Sequence, residues 1–211
     1  MMEFSTEKDL VAAFMRRLYE QKLTSASGGN ISMRINNRIL ITPSQKDKAF
    51  LTGDDILIMT LEGKCLSENM NPSMECKIHL AVYNRHPKIN AIVHAHPVVA
   101  TAFIVAGKPI KTNLTGESYA MLGRLVSAPY ALMGSKPLSD LVAEASMAGH
   151  VILMQNHGVV TTGKTLFEAY DRMEVLEACA KLNMITEILG DRKELSESEM
   201  RAIDDLFMAD K

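Results

Sequence analysis

The sequence predicts an α/β fold, a single-domain sandwich over residues 1–211 in which a central, largely antiparallel sheet is covered by helices. Three observations carry this expectation. Segments with apolar residues three and four apart alternate with short apolar or β-branched runs, so helices and strands are mixed. Two of those runs are separated only by Asn36-Asn37, a pair suited to a tight hairpin, and hairpins pair antiparallel. The chain has 211 residues, which at roughly 150 residues per domain suffices for one sizeable core.

The elements follow in order. A first helix is expected over 7–22, where Leu10, Phe14 and Leu18 lie four apart beside Val11 and Met15, with Ser5 or Thr6 as cap. The segment SASGGN ends it, because adjacent glycines favour a turn. Strands are expected over 31–35 and 38–42, with Thr42-Pro43-Ser44 closing the hairpin, and over 55–61, closed by Glu62-Gly63. Asn71-Pro72-Ser73 turns into a helix with Met74, Ile78, Ala81 and Val82 on its apolar face, and His86-Pro87 ends it. Residues 89–96 are a nearly continuous apolar run, as in a buried strand. A helix over 97–105 stops at Gly107, and another covers 138–147 after Pro137. Residues 151–155 form a second buried strand ending at Asn156-His157-Gly158. Thr165 and Glu168 make a capping box for a long helix closed by Gly190. Ser196 and Glu199 make another for a final helix over 197–208.

Composition excludes several function classes. Lys plus Arg is 23 and Asp plus Glu is 25, a net charge of -2, so no basic footprint for nucleic acid is present. The most apolar stretch, 91–107, contains His94, His96 and Pro97, which argues against a membrane span. Cys65, Cys76 and Cys179 are odd in number and lack a CxxC pair, which points to a reducing cytoplasm rather than a disulfide framework.

His94-Ala95-His96 is the most informative triplet. On a strand, residues two apart point to one face, so both imidazoles converge, and neutral imidazole is a common zinc ligand. A pair of hydrogen-bonded histidines would show the same spacing. His157, at the end of the second buried strand, adds a third imidazole, and three histidines leave a tetrahedral position open, as in catalytic sites. Glu75 is the candidate fourth group, and equally a charge favoured by a helix N-terminus. His79, His86 and His150 have no ligand-like neighbours and are expected to be structural or solvent-facing.

A second constellation suits an anion. Ser27-Gly28-Gly29-Asn30-Ile31-Ser32 offers hydroxyls and closely approachable backbone amides, and Ser44 and Ser73 add hydroxyls at two further turns. No Walker A loop or GxGxxG is present, so a nucleotide is not indicated.

Taken together and in this order, SASGGNIS, ILITPS, NPSME, HAH and QNHG resemble the class II sugar-phosphate aldolase family. That family includes L-fuculose-1-phosphate aldolase and shares its fold with L-ribulose-5-phosphate 4-epimerases and the adducin head domain. The resemblance runs from the first helix to Gly190. It implies one zinc ion per subunit held by His94, His96 and His157, with Glu75 as the base and a further metal contact. The epimerase branch has Asp there, so Glu75 points to an aldolase. Phosphate-binding positions fall on Gly29, Asn30, Ser44, Gln45, Ser73 and Met74. A homotetramer with active sites between subunits is implied, and Tyr119 and Glu117 are the candidates for a second acid–base group.

Two residues depart from the family pattern. The common PSSE reads PSME, so Met74 lacks a hydroxyl, and the glycine after TPS is Gln45, whose amide can donate instead. The implied partner is a small sugar phosphate. The implied reaction is retro-aldol cleavage of a ketose 1-phosphate, foremost L-fuculose 1-phosphate, to dihydroxyacetone phosphate and an aldehyde such as L-lactaldehyde. The alternatives are a metal-dependent dehydratase or epimerase, and a non-catalytic adducin-like module, which would not need the three histidines and Glu75.

Overall fold

In the computed structural model, which describes residues 4–68 and 70–208, the apolar run around residue 92 is the middle strand of a seven-stranded sheet. The chain opens with α1 (Ser5–Glu20), the hairpin of β1 (Asn30–Ile35) and β2 (Arg38–Ile41), and β3 (Leu57–Thr60). Next come α2 (Cys76–Arg85), β4 (Ala91–Ala95), α3 (Val98–Val105), α4 (Gly116–Leu122) and β5 (Leu125–Ala128). Then follow α5 (Lys136–Ala145), β6 (Val151–Met154), β7 (Gly158–Gly163), α6 (Leu166–Leu189) and α7 (Glu197–Met208). The sheet order is β3-β2-β1-β4-β7-β6-β5. Every neighbouring pair is antiparallel except β5 and β6. That parallel pair is joined through α5, as a parallel connection requires a crossover.

β4 is buried along its whole length, and its side chains divide by parity. Ala91, Val93 and Ala95 enter one core with Ile31, Val159, Met15 and Leu18 of α1, and Tyr170, Met173 and Leu176 of α6. Ile92 enters a second core with Ile39, Ile152 and Val160, under Ile78 and Val82 of α2 and Leu138 and Val142 of α5. His94 has the parity of Ile92 and therefore faces the α2 side, as do Asn30 and Ser32 on β1. The pairing of Asn30 with His94, and of His94 with Val160, places this histidine between two strands that hold it from both sides.

The largely antiparallel sandwich expected from the sequence is what forms. The Asn36-Asn37 turn closes the hairpin, with Ile35 opposite Arg38 and Asn36 at φ 53°. Ser196 and Glu199 cap α7 reciprocally, at 3.3 and 2.7 Å. Several details differ. α4, β5 and β7 were not expected: α4 and β5 are too short to show a period, and the Val-Val-Thr-Thr run of β7 lies between glycines that read as breakers. β3 is shorter than expected because a 3-10 turn, Gly53–Asp55, takes Asp55 and is capped by Ile56, and Leu61 enters the following turn. α1 starts at Ser5 without a side-chain cap. Leu10 is 43% exposed at the edge of its helix face, and Met74 precedes α2 and is 68% exposed. The Glu168 carboxylate accepts from Lys164 N (2.6 Å), one residue before the expected Thr165.

None of the three cysteines forms a disulfide. No helix among the described residues is long and apolar enough to cross a membrane. The fold therefore rests on its two apolar layers. Leu176 is fully buried between α6 and the sheet, so Leu176→Ala should lower stability by about 2–5 kcal/mol, read as a shift of the urea midpoint without loss of cooperativity.

Candidate active site

The site forms where β4 ends and α2 begins. His94 is the last-but-one residue of β4, and His96 lies two residues on, just past the strand and on the same side. His157 sits in the tight turn between β6 and β7, its N–H bonded to Met154 O at 3.2 Å. The three rings gather with centroids 4.7 Å (His94–His96), 5.0 Å (His94–His157) and 5.6 Å (His96–His157) apart. Their ligand atoms lie within 4.8 Å of one another. Gly158 is required by this crowding: a Cβ there would lie 2.6 Å from both Ala95 O and His96 Cδ2. Gly29 is required as well, with φ +64° and the position of a Cβ 2.8 Å from His94 O.

Glu75, the residue before α2, turns its carboxylate inward. It is 7% exposed, with Oε2 3.1 Å from His94 Nε2 and Oε1 2.9 Å from His157 Nε2. His94 Nδ1 lies 2.9 Å from Val159 O, so it is the donor there and Nε2 keeps its lone pair. Glu75 Oε1, His94 Nε2 and His157 Nε2 are all buried and lack a hydrogen-bond partner of correct geometry. Acceptor atoms that face one another without a donor are what a cation would satisfy. Two imidazoles and a carboxylate, with His96 beside them, therefore fit a divalent transition ion.

The electrostatics agree with that chemistry. With no ion bound, protonation of His94 and His157 would supply donors in its place; burial opposes the charge on Glu75, but the charge on His94 and the hydrogen bond from His157 then outweigh it and hold the carboxyl well below its usual range. Burial, with the neighbouring His94 and His157, lowers His96 to about 3, so its imidazole is neutral and able to bind a metal.

Behind Glu75 runs a buried chain of hydrogen bonds. Asn30 Nδ2 donates to Glu75 Oε2 and to Ser73 Oγ, each at 3.1 Å. Its Oδ1 then accepts from His79 Nε2 at 2.5 Å. His79 Nδ1 in turn accepts from Ser32 Oγ (2.6 Å), which accepts from the Tyr83 hydroxyl (2.7 Å). Every donor direction follows once the Asn30 amide faces the carboxylate. Burial, with the neighbouring His94 adding to it, lowers His79 to about 3 and keeps it neutral, as this chain requires. Of the two expectations for His79, structural or solvent-facing, the structural one holds, with a specific task in orienting Asn30; it sits four residues after Glu75, and this i, i+4 spacing is the signal the sequence offers for that task.

A cavity of about 150 Å³ opens beside these groups. It is lined by Glu75, His96 and His157, by Ser27, Gly28 and Gly29, and by Ser44 and Ser73. Pro43, Lys48, Met74 and Met133 complete it. Ser73 Oγ accepts from Asn30 and, at 3.3 Å, from Glu75 N. Its hydroxyl proton is left to donate into the cavity. Gln45 is exposed, at φ 55°, and is not among the lining residues. Tyr119 and Glu117 are not among them either. Both lie on α4, Glu117 exposed and Tyr119 bonded to Asp204 of α7 at 3.0 Å. The sequence does not single out Lys48, since a lysine directly after Lys46 and Asp47 reads as surface.

Because His79 titrates near 3 in the folded protein and near 6.5 when unfolded, its neutral form contributes stability above pH 6.5 that is lost as the pH falls toward 3. In metal-stripped protein, unfolding free energies from urea titrations between pH 7 and 5 should fall less steeply for His79→Gln than for the parent, by up to about 1.4 kcal/mol per pH unit. Parallel slopes would show that His79 is not held neutral.

Comparison with known proteins bears on what this geometry is for. Residues 9–184 match the family described as Class II Aldolase and Adducin N-terminal domain. An L-fuculose phosphate aldolase of Methanococcus maripaludis is 39% identical over 170 residues, covering 81% of this chain and 92% of that protein. A 3-oxo-tetronate 4-phosphate decarboxylase of Haemophilus influenzae is 33% identical, covering 83% and 86%. A 5-deoxy-D-ribulose 1-phosphate aldolase of Bacillus thuringiensis is 30% identical, covering 94% of each. A solved L-fuculose 1-phosphate aldolase superposes with a TM-score of 0.88 at 29% identity, over 98% of each chain. With its fold, its histidine and carboxylate cluster and these relatives in agreement, the chain belongs to the class II aldolase and adducin N-terminal domain family, as one of its aldolase-type lyases.

Proposed function

We propose that the chain is a zinc-dependent aldolase that cleaves a ketose 1-phosphate, with L-fuculose 1-phosphate as the foremost substrate, to dihydroxyacetone phosphate and an aldehyde such as L-lactaldehyde. The observation that carries this reading is the Glu75 carboxylate, buried against His94 and His157 in a cavity that also presents Ser44, Ser73 and a glycine loop. His94, His96 and His157 would hold the ion, which supplies Lewis-acid stabilisation of negative charge developing on substrate oxygens. No lysine Schiff base is required for the same end.

The chain's own groups divide the remaining work. Glu75 carries the proton to and from the carbon that becomes nucleophilic when the C3–C4 bond breaks. Asn30, locked by His79, keeps the carboxylate aimed while leaving it ionised. The Ser73 hydroxyl and the backbone at Gly29 receive the phosphate oxygens. The C4 hydroxyl proton needs a second acid–base group. Tyr119 and Glu117 stand away from the cavity of their own chain, and the proposal assigns one of them to the site of a neighbouring subunit in a cytoplasmic homotetramer. A second reading, a decarboxylase of a phosphorylated oxo-acid, is favoured by the Haemophilus relative.

Zinc-loaded protein given L-fuculose 1-phosphate should release dihydroxyacetone phosphate, and a chelator should stop it. A fully loaded protein that releases none would exclude this substrate, and carbon dioxide from a 3-oxo acid phosphate would establish the second reading. Glu75→Gln should lower kcat by about 10²–10⁴-fold with metal content, measured by elemental analysis, largely retained. Undiminished turnover would remove Glu75 as the base.

A further inference from the structure

Lys48 lines the same cavity, yet it is only 1% exposed. It opens a 3-10 turn, Lys48–Phe50, capped by the Asp47 carboxylate on Ala49 N. Its backbone N–H donates to Ala26 O at 2.9 Å, which ties this turn to the glycine loop. Its Nζ donates to one acceptor, the carbonyl of Pro43, at 2.8 Å. No carboxylate lies within ion-pair distance of it among the described residues. An ammonium has three donors, so two remain unused.

A buried ammonium without a counter-charge is costly, by several kcal/mol before compensation. Proteins meet that cost by pairing the charge, neutralising the amine or binding an anion. Pairing is absent here, and burial does lower the Lys48 pKa. Lys48 is also the one lysine or arginine among the residues that line the cavity. The Met74 side chain on the cavity wall offers no donor, and the Gln45 amide, beside Ser44 in the chain, faces solvent. The Thr42-Pro43-Ser44 turn that holds the lysine also presents Ser44 to the cavity, so cation and hydroxyl arrive on one segment.

We propose that Lys48 is the specificity-determining residue for the phosphate group of the substrate, supplying by charge what Met74 and Gln45 do not supply by hydrogen bonding. This deepens the reading above and rests on it for the identity of the substrate, but not for the binding of phosphate itself. A point charge with two open donors suits a dianionic phosphate better than a neutral hydroxyl. The energetic cost of keeping the lysine buried is met when the anion arrives.

The test compares the parent with Lys48→Gln, whose amide can still donate to Pro43 O while carrying no charge. Inorganic phosphate, titrated by calorimetry into metal-loaded protein, should bind the parent saturably and Lys48→Gln at least ten-fold more weakly. Phosphate should likewise raise the Tm of the parent and not that of the variant. The ratio of kcat/KM for a ketose 1-phosphate over the unphosphorylated ketose should fall at least ten-fold, chiefly through KM. Lys48→Met, judged folded by circular dichroism, provides the same comparison should the glutamine variant misfold. Equal phosphate affinity in parent and folded variant, or a parent that binds no phosphate, overturns the proposal. Weakened phosphate binding in the variant, with a parent that cleaves no ketose phosphate, supports Lys48 and overturns the aldolase substrate instead.

Discussion

A carboxylate at the start of a helix is ordinary in water, where it complements the helix dipole. Glu75 is instead enclosed by two imidazoles and an amide, with Oε1 left unsatisfied. A buried carboxylate persists only when its surroundings repay the lost hydration, and much of this structure serves that requirement. His94 stands on the central strand, where pairing on both sides fixes its backbone and Val159 O fixes its tautomer. His157 is delivered by a turn tight enough that only glycine can follow it. The two apolar layers make this end of the sheet rigid, so a site assembled from distant parts of the chain keeps its geometry.

The polar groups between α2 and the sheet are satisfied in one direction only. Asn30 spends both donors on Glu75 and Ser73, and its acceptor on His79. Ser32 and Tyr83 finish the chain. A flipped Asn30 amide would set oxygen against carboxylate and nitrogen against the His79 donor, so the network selects one arrangement. Low polarity around it strengthens each bond and makes each omission expensive. The groups that let a helix carry polar residues on its inner face thus also hold the Glu75 carboxylate in place.

The cavity combines two kinds of chemistry with different tolerances. The end that could hold a metal ion depends on distances among three rings and a carboxylate, and admits little variation. The end proposed for an anion needs only charge and donors within reach; Met74 on its wall brings no side-chain donor, and Gln45, in the same turn as Ser44, faces solvent. Gln45 even occupies a left-handed backbone position that glycine would hold without strain. A fold that supports several reactions changes most easily at such positions, because substitution there alters recognition without dismantling the chemistry.

By itself the sequence determined the alternation of helices and strands, the hairpin at Asn36-Asn37, the cap of α7 and the convergence of His94 and His96. Each depends on residues close in the chain, where period, turn chemistry and parity act directly. His157, at the end of a buried strand, and Glu75, at the start of a helix, were legible as further candidates, and the family motifs joined them to the pair. Tertiary structure alone decided that α4 and β5 form at all, since elements this short gain their stability from neighbours rather than from a period of their own. It alone brought His79 to Asn30 and Lys48 to the cavity. Both contacts join segments distant in sequence or depend on burial, and the same letters would serve equally on a solvated face. Sequence specifies which side chains share a strand face or a helix face, whereas strand order and the seating of α2 on the sheet decide which of those faces meet.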